Sequence, residues 1–421
     1  MPPTPGKPAK SLCRHLISGC QRMLIVGFLL ATLAQAQTFT TLYKFRGGRD
    51  GKETFAGVIQ DASGKLYGTT TGGGNRNCNM GEKGNGCGVV YRVNTDGTET
   101  VLHTFSGADG AVPWTPMVRD QAGNLFGTTW LGGDLGGGAV FKIDTAGKET
   151  VLHSFTDGSD GCFPVQGLVL DESGTAFGTT TACGSWTLGT IFKVDSAGHF
   201  TLLHTFTGYP SDGATPEDGH LTMDRSGNLY GVTLAGGSGG CNNGSGAYGC
   251  GVLYKLSKNK TFSVLYSFRG GAKDGCFPIG SVVEDGAGNL YGTTGGCGSD
   301  KNDGTVWKVS KEGKETILHR FAGGASDGCG PSGGVTRDAH GDLYGVTDSC
   351  GANNYGVLYK LSVGGRFTLL HSFEGSDGAE PLGEVVRGTN GTLFGTTTVG
   401  GTGNCPNLLY DGCGTVWSYV P

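Results

Sequence analysis

The chain of 421 residues holds 83 glycines and only 16 % charged residues, without the long polar runs that keep a chain unfolded. Its formal charge is −5, and the segment ahead of Gln37 contributes the cations Lys7, Lys10, Arg14 and Arg22, so the remainder stands at −9. That balance argues against a nucleic-acid partner, because backbone binding needs a basic surface.

Residues 1–36 read as an export signal. Basic residues extend to Arg22, an apolar run follows from Met23 to Ala34, and Ala34-Gln35-Ala36 is a small-x-small cleavage site. The run is short for a membrane span. The expectation is an extracellular or periplasmic mature chain, 37–421, forming a single domain with no membrane attachment; a retained signal anchor is the alternative.

The mature chain opens on Thr38 to Phe45, which carries the pattern Leu-x-x-Phe. That pattern returns at Leu102, Leu152, Leu203, Leu265, Leu318 and Leu370. An aromatic-Gly step keeps pace with it at Tyr67, Phe126, Phe177, Tyr230, Tyr291, Tyr344 and Phe394, at intervals of 59, 51, 53, 61, 53 and 50 residues. Such a period means a solenoid, a propeller or an array. The clearest unit has strands at Gly280 to Glu284, Leu290 to Thr294, Gly304 to Val309 and Glu315 to Phe321, separated by turns rich in Asp and Gly. Those residues supply the side-chain cap and the positive φ that tight reversals need. No segment past the export signal has a 3.6-residue apolar period.

Four strands in each of seven units predict an all-β chain, a seven-bladed β-propeller with four-stranded antiparallel blades. A solenoid is disfavoured because neither end carries a polar cap. The ends complement each other: the chain begins with a lone Leu-x-x-Phe strand and finishes with a lone third strand, Gly414 to Val420. The N-terminal strand is therefore expected to close the last blade, which removes a free edge.

Cys13 and Cys20 lie in the export signal. The other cysteines form six local couples: Cys78 with Cys87, Cys162 with Cys183, Cys241 with Cys250, Cys276 with Cys297, Cys329 with Cys350, and Cys405 with Cys413. An export signal and matched spacings predict disulfides. Zinc is disfavoured, since no His accompanies the couples at ligand spacing.

An active site is normally singular, whereas a residue present in every unit serves the fold. Asp50, Asp109, Asp160, Asp212, Asp274, Asp327 and Asp377 each precede Gly and are read as turn caps, with a bound calcium ion as the alternative use of their oxygens. His103, His153, His204, His319 and His371 share one position with Tyr43 and Tyr266, and read as packed hydrogen-bonding residues. The informative residues break the repeat. Trp114, Trp130, Trp186, Tyr209, Tyr248 and Tyr355 stand in loops beside Asp, Asn and Gly, where an aromatic plane suits a sugar or peptide; the plainer reading is that they plug gaps. Glu217-Asp218-Gly219-His220 is the best candidate for chemistry, making Glu217, Asp218 and His220 the catalytic candidates. Asp134, Asp300, Asp303 and Asp348 are further unrepeated acids. No Ser elbow, phosphate loop or HExxH motif is present.

Units such as Gly138-Ala-Val-Phe-Lys-Ile143, Glu149-Thr-Val-Leu-His-Ser-Phe155 and Gly288-Asn-Leu-Tyr-Gly-Thr-Thr294 resemble the Gloeo_Verruco (GloVer) tandem-repeat family of secreted bacterial proteins over nearly all of Gln37 to Pro421. The resemblance implies export and repeat architecture and carries no agreed reaction. The Asp-x-x-Gly-Asn-Leu turn is also similar to that of streptogramin lyase-type propellers, which implies a metal with His and acidic partners; no matching motif occurs here. The sequence therefore predicts a monomeric module without cofactor that binds a carbohydrate or protein through its Gly-rich loops. An extracellular lyase or glycoside hydrolase, and a purely structural matrix protein, are the alternatives.

Overall fold

The computed structural model describes residues 37–421 apart from 79, 81–84, 218, 243–247, 300, 302 and 406–411. Its strands gather into five four-stranded sheets, one eight-stranded sheet and a two-stranded ribbon, Gly213–Ala214 with Ala235–Gly236. The eight-stranded sheet consists of two antiparallel four-stranded halves joined by one parallel bridge between Ser281 and Gly334. Within each set the strands run outward in chain order, as in Ile59–Gln60, Leu66–Thr70, Val89–Val93 and Glu99–Thr104. One set departs from that order: Thr38–Lys44 pairs antiparallel with Thr415–Val420, placing Thr38 opposite Val420. The first strand of the domain thus completes the last set.

The innermost strand departs from the sequence pattern in both directions. In five sets it is two residues long, as in Val169–Leu170; in the other two it spans ten, Gly275–Glu284 and Gly328–Arg337. In the two long cases the ladder continues outward until Gly275 faces Cys297 and Gly328 faces Cys350, beside the disulfides.

The repeated aromatic-Gly step has a packing cause. At Gly292 a methyl group would lie 2.4 Å from Trp307 Cζ2, because the indole lies across the bare glycine. The same relation joins Gly68 to Tyr91, Gly127 to Phe141, Gly178 to Phe192, Gly231 to Tyr254, Gly345 to Tyr359 and Gly395 to Trp417. Each of these buried rings also receives the edge of a Phe from the outer strand of the preceding set. Phe105 meets Phe141, Phe155 meets Phe192, Phe206 meets Tyr254, Phe268 meets Trp307, Phe321 meets Tyr359 and Phe373 meets Trp417, at centroid distances of 5.1 to 5.9 Å. Phe45 on Tyr91, at 5.0 Å, returns the series to its start. Edge-to-face pairs add about 1 kcal/mol each beyond the area they bury. The core is thus a closed circuit of aromatic contacts between neighbouring sets.

Candidate functional site

The repeated polar residues are consumed by the fold. In every unit the outer-strand His or Tyr bonds the Asp of the following Asp-Gly loop. His103 reaches Asp109 at 2.9 Å, His153 reaches Asp160 at 3.2 Å, His204 reaches Asp212 at 3.1 Å, His319 reaches Asp327 at 3.1 Å and His371 reaches Asp377 at 2.7 Å. Tyr43 and Tyr266 donate to Asp50 and Asp274 at 3.0 and 2.9 Å. Each Asp also accepts a backbone N–H three to five residues upstream, as from Thr207 to Asp212 and from Glu374 to Asp377. Burial pushes the carboxyls of Asp109, Asp212, Asp327 and Asp377 upward, but these bonds outweigh it and hold them below the usual range. Each loop and its outer strand are latched together.

All six cysteine couples are joined, with Cα separations of 4.9 to 5.6 Å. Among the described residues three groups have metal-ligand spacing. Two contain disulfide sulfurs, which are not free to coordinate; the third, His103, Asp109 and Glu149, is one latch plus a neighbouring carboxylate.

The unrepeated residues separate into two groups. Trp114 stacks on Phe55 at 3.9 Å and meets Trp130 edge-on at 5.8 Å; Trp130 in turn reaches Phe163 at 6.3 Å. Phe55, Trp114, Val165 and Leu382 line a cup together with Gly57, Gly383 and Glu384. The second group stays apart from it: Trp186, Tyr209 and Tyr248 are 62 %, 57 % and 63 % exposed in their loops. Tyr355 is half-buried against Gly375 and fills a gap between loops.

Beside the cup, at an adjoining cavity that shares Gly57, Pro116 and Glu384 with it and is also lined by His220, the chain brings together three polar side chains that lie far apart in sequence. Ser281 Oγ is 2.7 Å from His220 Nδ1 and donates to Glu384 Oε2 at 3.1 Å, while accepting the His220 backbone N–H at 3.0 Å. His220 Nδ1 lies 3.2 Å from Glu384 Oε2. Burial opposes the imidazolium, but the Glu384 carboxylate outweighs it and the pKa of His220 is raised. Ser281 and Glu384 share one ring nitrogen, so this is no Ser-His-acid relay, which needs the serine and the acid on opposite nitrogens. Nε2 takes part in neither contact, and 31 % of the side chain remains accessible.

Of the sequence candidates, His220 is placed in this cluster, Glu217 lies just ahead of it in the chain, and Asp218 falls outside the described residues. Asp300 also falls outside them. Asp134 and Asp303 stand in other loops and Asp348 in the strand Leu343–Cys350; none of them lines the cup, and burial raises the carboxyl of Asp348. Sequence reasoning missed Ser281, Glu384, Phe55 and Phe163. The signal for the polar pair was present: counting four residues back from the turn after each inner strand gives Gly57, Pro116, Gly167, His220, Ser281, Gly334 and Glu384. At this register the backbones crowd, and only three units carry a functional side chain.

A disulfide-braced, propeller-like all-β repeat protein is the class these features define. The chain belongs to the Gloeobacter/Verrucomicrobia repeat family, whose model matches residues 27–244 and 238–420. No curated protein matches it. Among solved structures it is similar to a streptogramin B lyase, with a TM-score of 0.57 and 10 % identity over 91 % of this chain and 97 % of that one. It is also similar to the extracellular domains of two hybrid two component systems of B. thetaiotaomicron. Their TM-scores are both 0.54, at 12 % and 11 % identity, over 91 % and 90 % of this chain and 41 % and 39 % of those. Likeness at such identities concerns the fold alone.

Proposed function

We propose that residues 1–36 direct export and that 37–421 form one seven-bladed β-propeller, extracellular or periplasmic, that binds a carbohydrate or protein ligand in its axial cup. The closed circuit of Phe contacts supports the blade count, and the disulfides and the extracellular domains among similar structures support the location. One observation carries the binding reading: Phe55, Trp114 and Glu384, which come from different units, line the same cup, and Glu384 accepts from Ser281 beside it. A cup lined by aromatic planes and a carboxylate suits a ring-shaped or aromatic group that also donates hydrogen bonds. No cofactor is required for this role.

A glycan and peptide array probed with the mature chain tests it. Ligands are expected that bind the native protein and are lost on Trp114→Ala. An array without binders, or one on which Trp114→Ala loses none of the native protein's binders, would refute the reading.

A second reading makes the adjoining cavity an active site, favoured by the convergence of His220, Ser281 and Glu384 with Nε2 of His220 left outside their contacts. Among the described residues Glu384 is the one acid lining that cavity, which weighs against a two-carboxylate hydrolase and leaves a lyase. Turnover of an array ligand that stops in His220→Ala would establish it.

A further inference from the structure

A separate set of exposed apolar side chains occupies one register of the loops between second and third strands. Three residues ahead of the glycine that opens the third strand stand Leu135, Trp186 and Tyr248, in three consecutive units. They are 56 %, 62 % and 63 % exposed. At the same register other units carry Asn85, Lys301 and Asn353. Tyr209 joins the set: its loop packs on that of Trp186, since a methyl at Gly208 would lie 2.7 Å from Leu188, and Thr215 N–H bonds Leu188 O at 2.9 Å.

Two features make these side chains platforms. Trp186 follows Cys183, which is tied to Cys162, and Tyr248 lies inside the loop closed by Cys241 and Cys250, so both stand on cross-linked backbone. Among the described residues no ring contact joins Trp186, Tyr209 and Tyr248, and each plane is more than half exposed by itself. A protein partner needs a contiguous apolar centre. Spaced planes with small polar residues between them fit the faces of successive sugar rings.

Charge narrows the ligand further. Residues 131–138, 182–189, 207–213 and 235–250 contain no Lys or Arg, while Asp134 and Asp212 lie within them. An anionic polymer or an anionic lipid surface finds no counter-charge there. We propose that Trp186, Tyr209 and Tyr248, flanked by Leu135, form a second site, distinct from the axial cup, that takes a run of a neutral polysaccharide.

Affinity electrophoresis of the mature protein tests this, with β-glucan, xyloglucan or galactomannan in the gel, alginate as the anionic polymer, and phosphatidylcholine vesicles in a parallel sedimentation assay. Retardation by at least one neutral polymer is expected, with none by alginate and no vesicle binding. The variant Trp186→Ala/Tyr209→Ala/Tyr248→Ala is expected to lose roughly tenfold or more in affinity, as truncation of aromatic anchors does, with its melting temperature unchanged. Trp114→Ala should bind the polymer as the native protein does, which separates this site from the axial one. Absence of retardation by every neutral polymer, equal retardation of the triple variant, or binding confined to alginate or vesicles would overturn the proposal.

Discussion

The outer edge of each unit and its inner edge obey opposite rules. At the outer edge the same latch recurs seven times, with His and Tyr exchanging freely because each needs only to reach the Asp. At the axial register the units differ, and the three side chains that replace Gly or Pro bond to one another. A ring of repeats cannot vary its latches without loosening the ring, whereas the axis is a single place to which every unit contributes one position. Difference is therefore informative at the axis.

The comparison is broken most severely at the crowded inner edge. A methyl at Gly280, whose φ is +77°, would lie 2.1 Å from Gly334 N and cannot escape by a rotamer change, because the obstacle is backbone. Gly280→Ala is expected to cost about 4 kcal/mol or more, from left-handed strain and overpacking together. Urea denaturation would check it; a loss under about 1 kcal/mol would mean that the inner strands have room to separate.

At the outer edge a smaller effect is expected. Asp212 is buried and accepts from His204, from Thr207 N–H and from Gly213 N–H. Asp212→Ala strands these donors and is expected to lower stability by about 3 kcal/mol. The same substitution at Asp160, with its own His and Thr156 donors, should have a similar effect. If either left the unfolding midpoint unchanged, the latches would be incidental to the ring.

Much of the outer edge was legible in the sequence. The interchange of Tyr43 and Tyr266 with five histidines marks a hydrogen-bonding role, and paired spacings marked the disulfides. The axis was half legible. His220 stood out beside Glu217 and Asp218, but Ser281 and Glu384 come from units that look ordinary one at a time, and their meeting depends on closure of the ring. The six aromatic candidates could not be sorted by sequence either, because all stand in similar Gly-rich loops. Only packing separates Trp114 and Trp130, held in one run of ring contacts with Phe55 and Phe163, from the exposed Trp186, Tyr209 and Tyr248.

The outer edge also contains variation, and it tests whether difference by itself marks function. Four residues ahead of the latch stand Phe39, Phe200, Phe262 and Phe367, each stacked on the His of the preceding unit at 3.7 to 4.3 Å. Glu99, Glu149 and Glu315 take that place in the other units. Each has a buried Oε1 without a partner among the described residues. Burial, and then the charge of Asp50 or Asp274, push Glu99 and Glu315 up from 4.5 to about 7. Between those values the folded state holds protons that the unfolded chain has released, so stability is full below about pH 4.5 and declines as pH rises toward 7. Glu99→Gln/Glu315→Gln removes that decline. The variant is expected to gain about 1 kcal/mol per site over the native chain at pH 8, after allowance for solvent screening, and nothing at pH 4.5. Urea midpoints measured across that range would read it out. Parallel curves for the two proteins would show that these carboxyls titrate normally; converging curves toward pH 4.5, with ligand binding in the cup unchanged, would show that variation at the outer edge, unlike that at the axis, is a matter of junction chemistry.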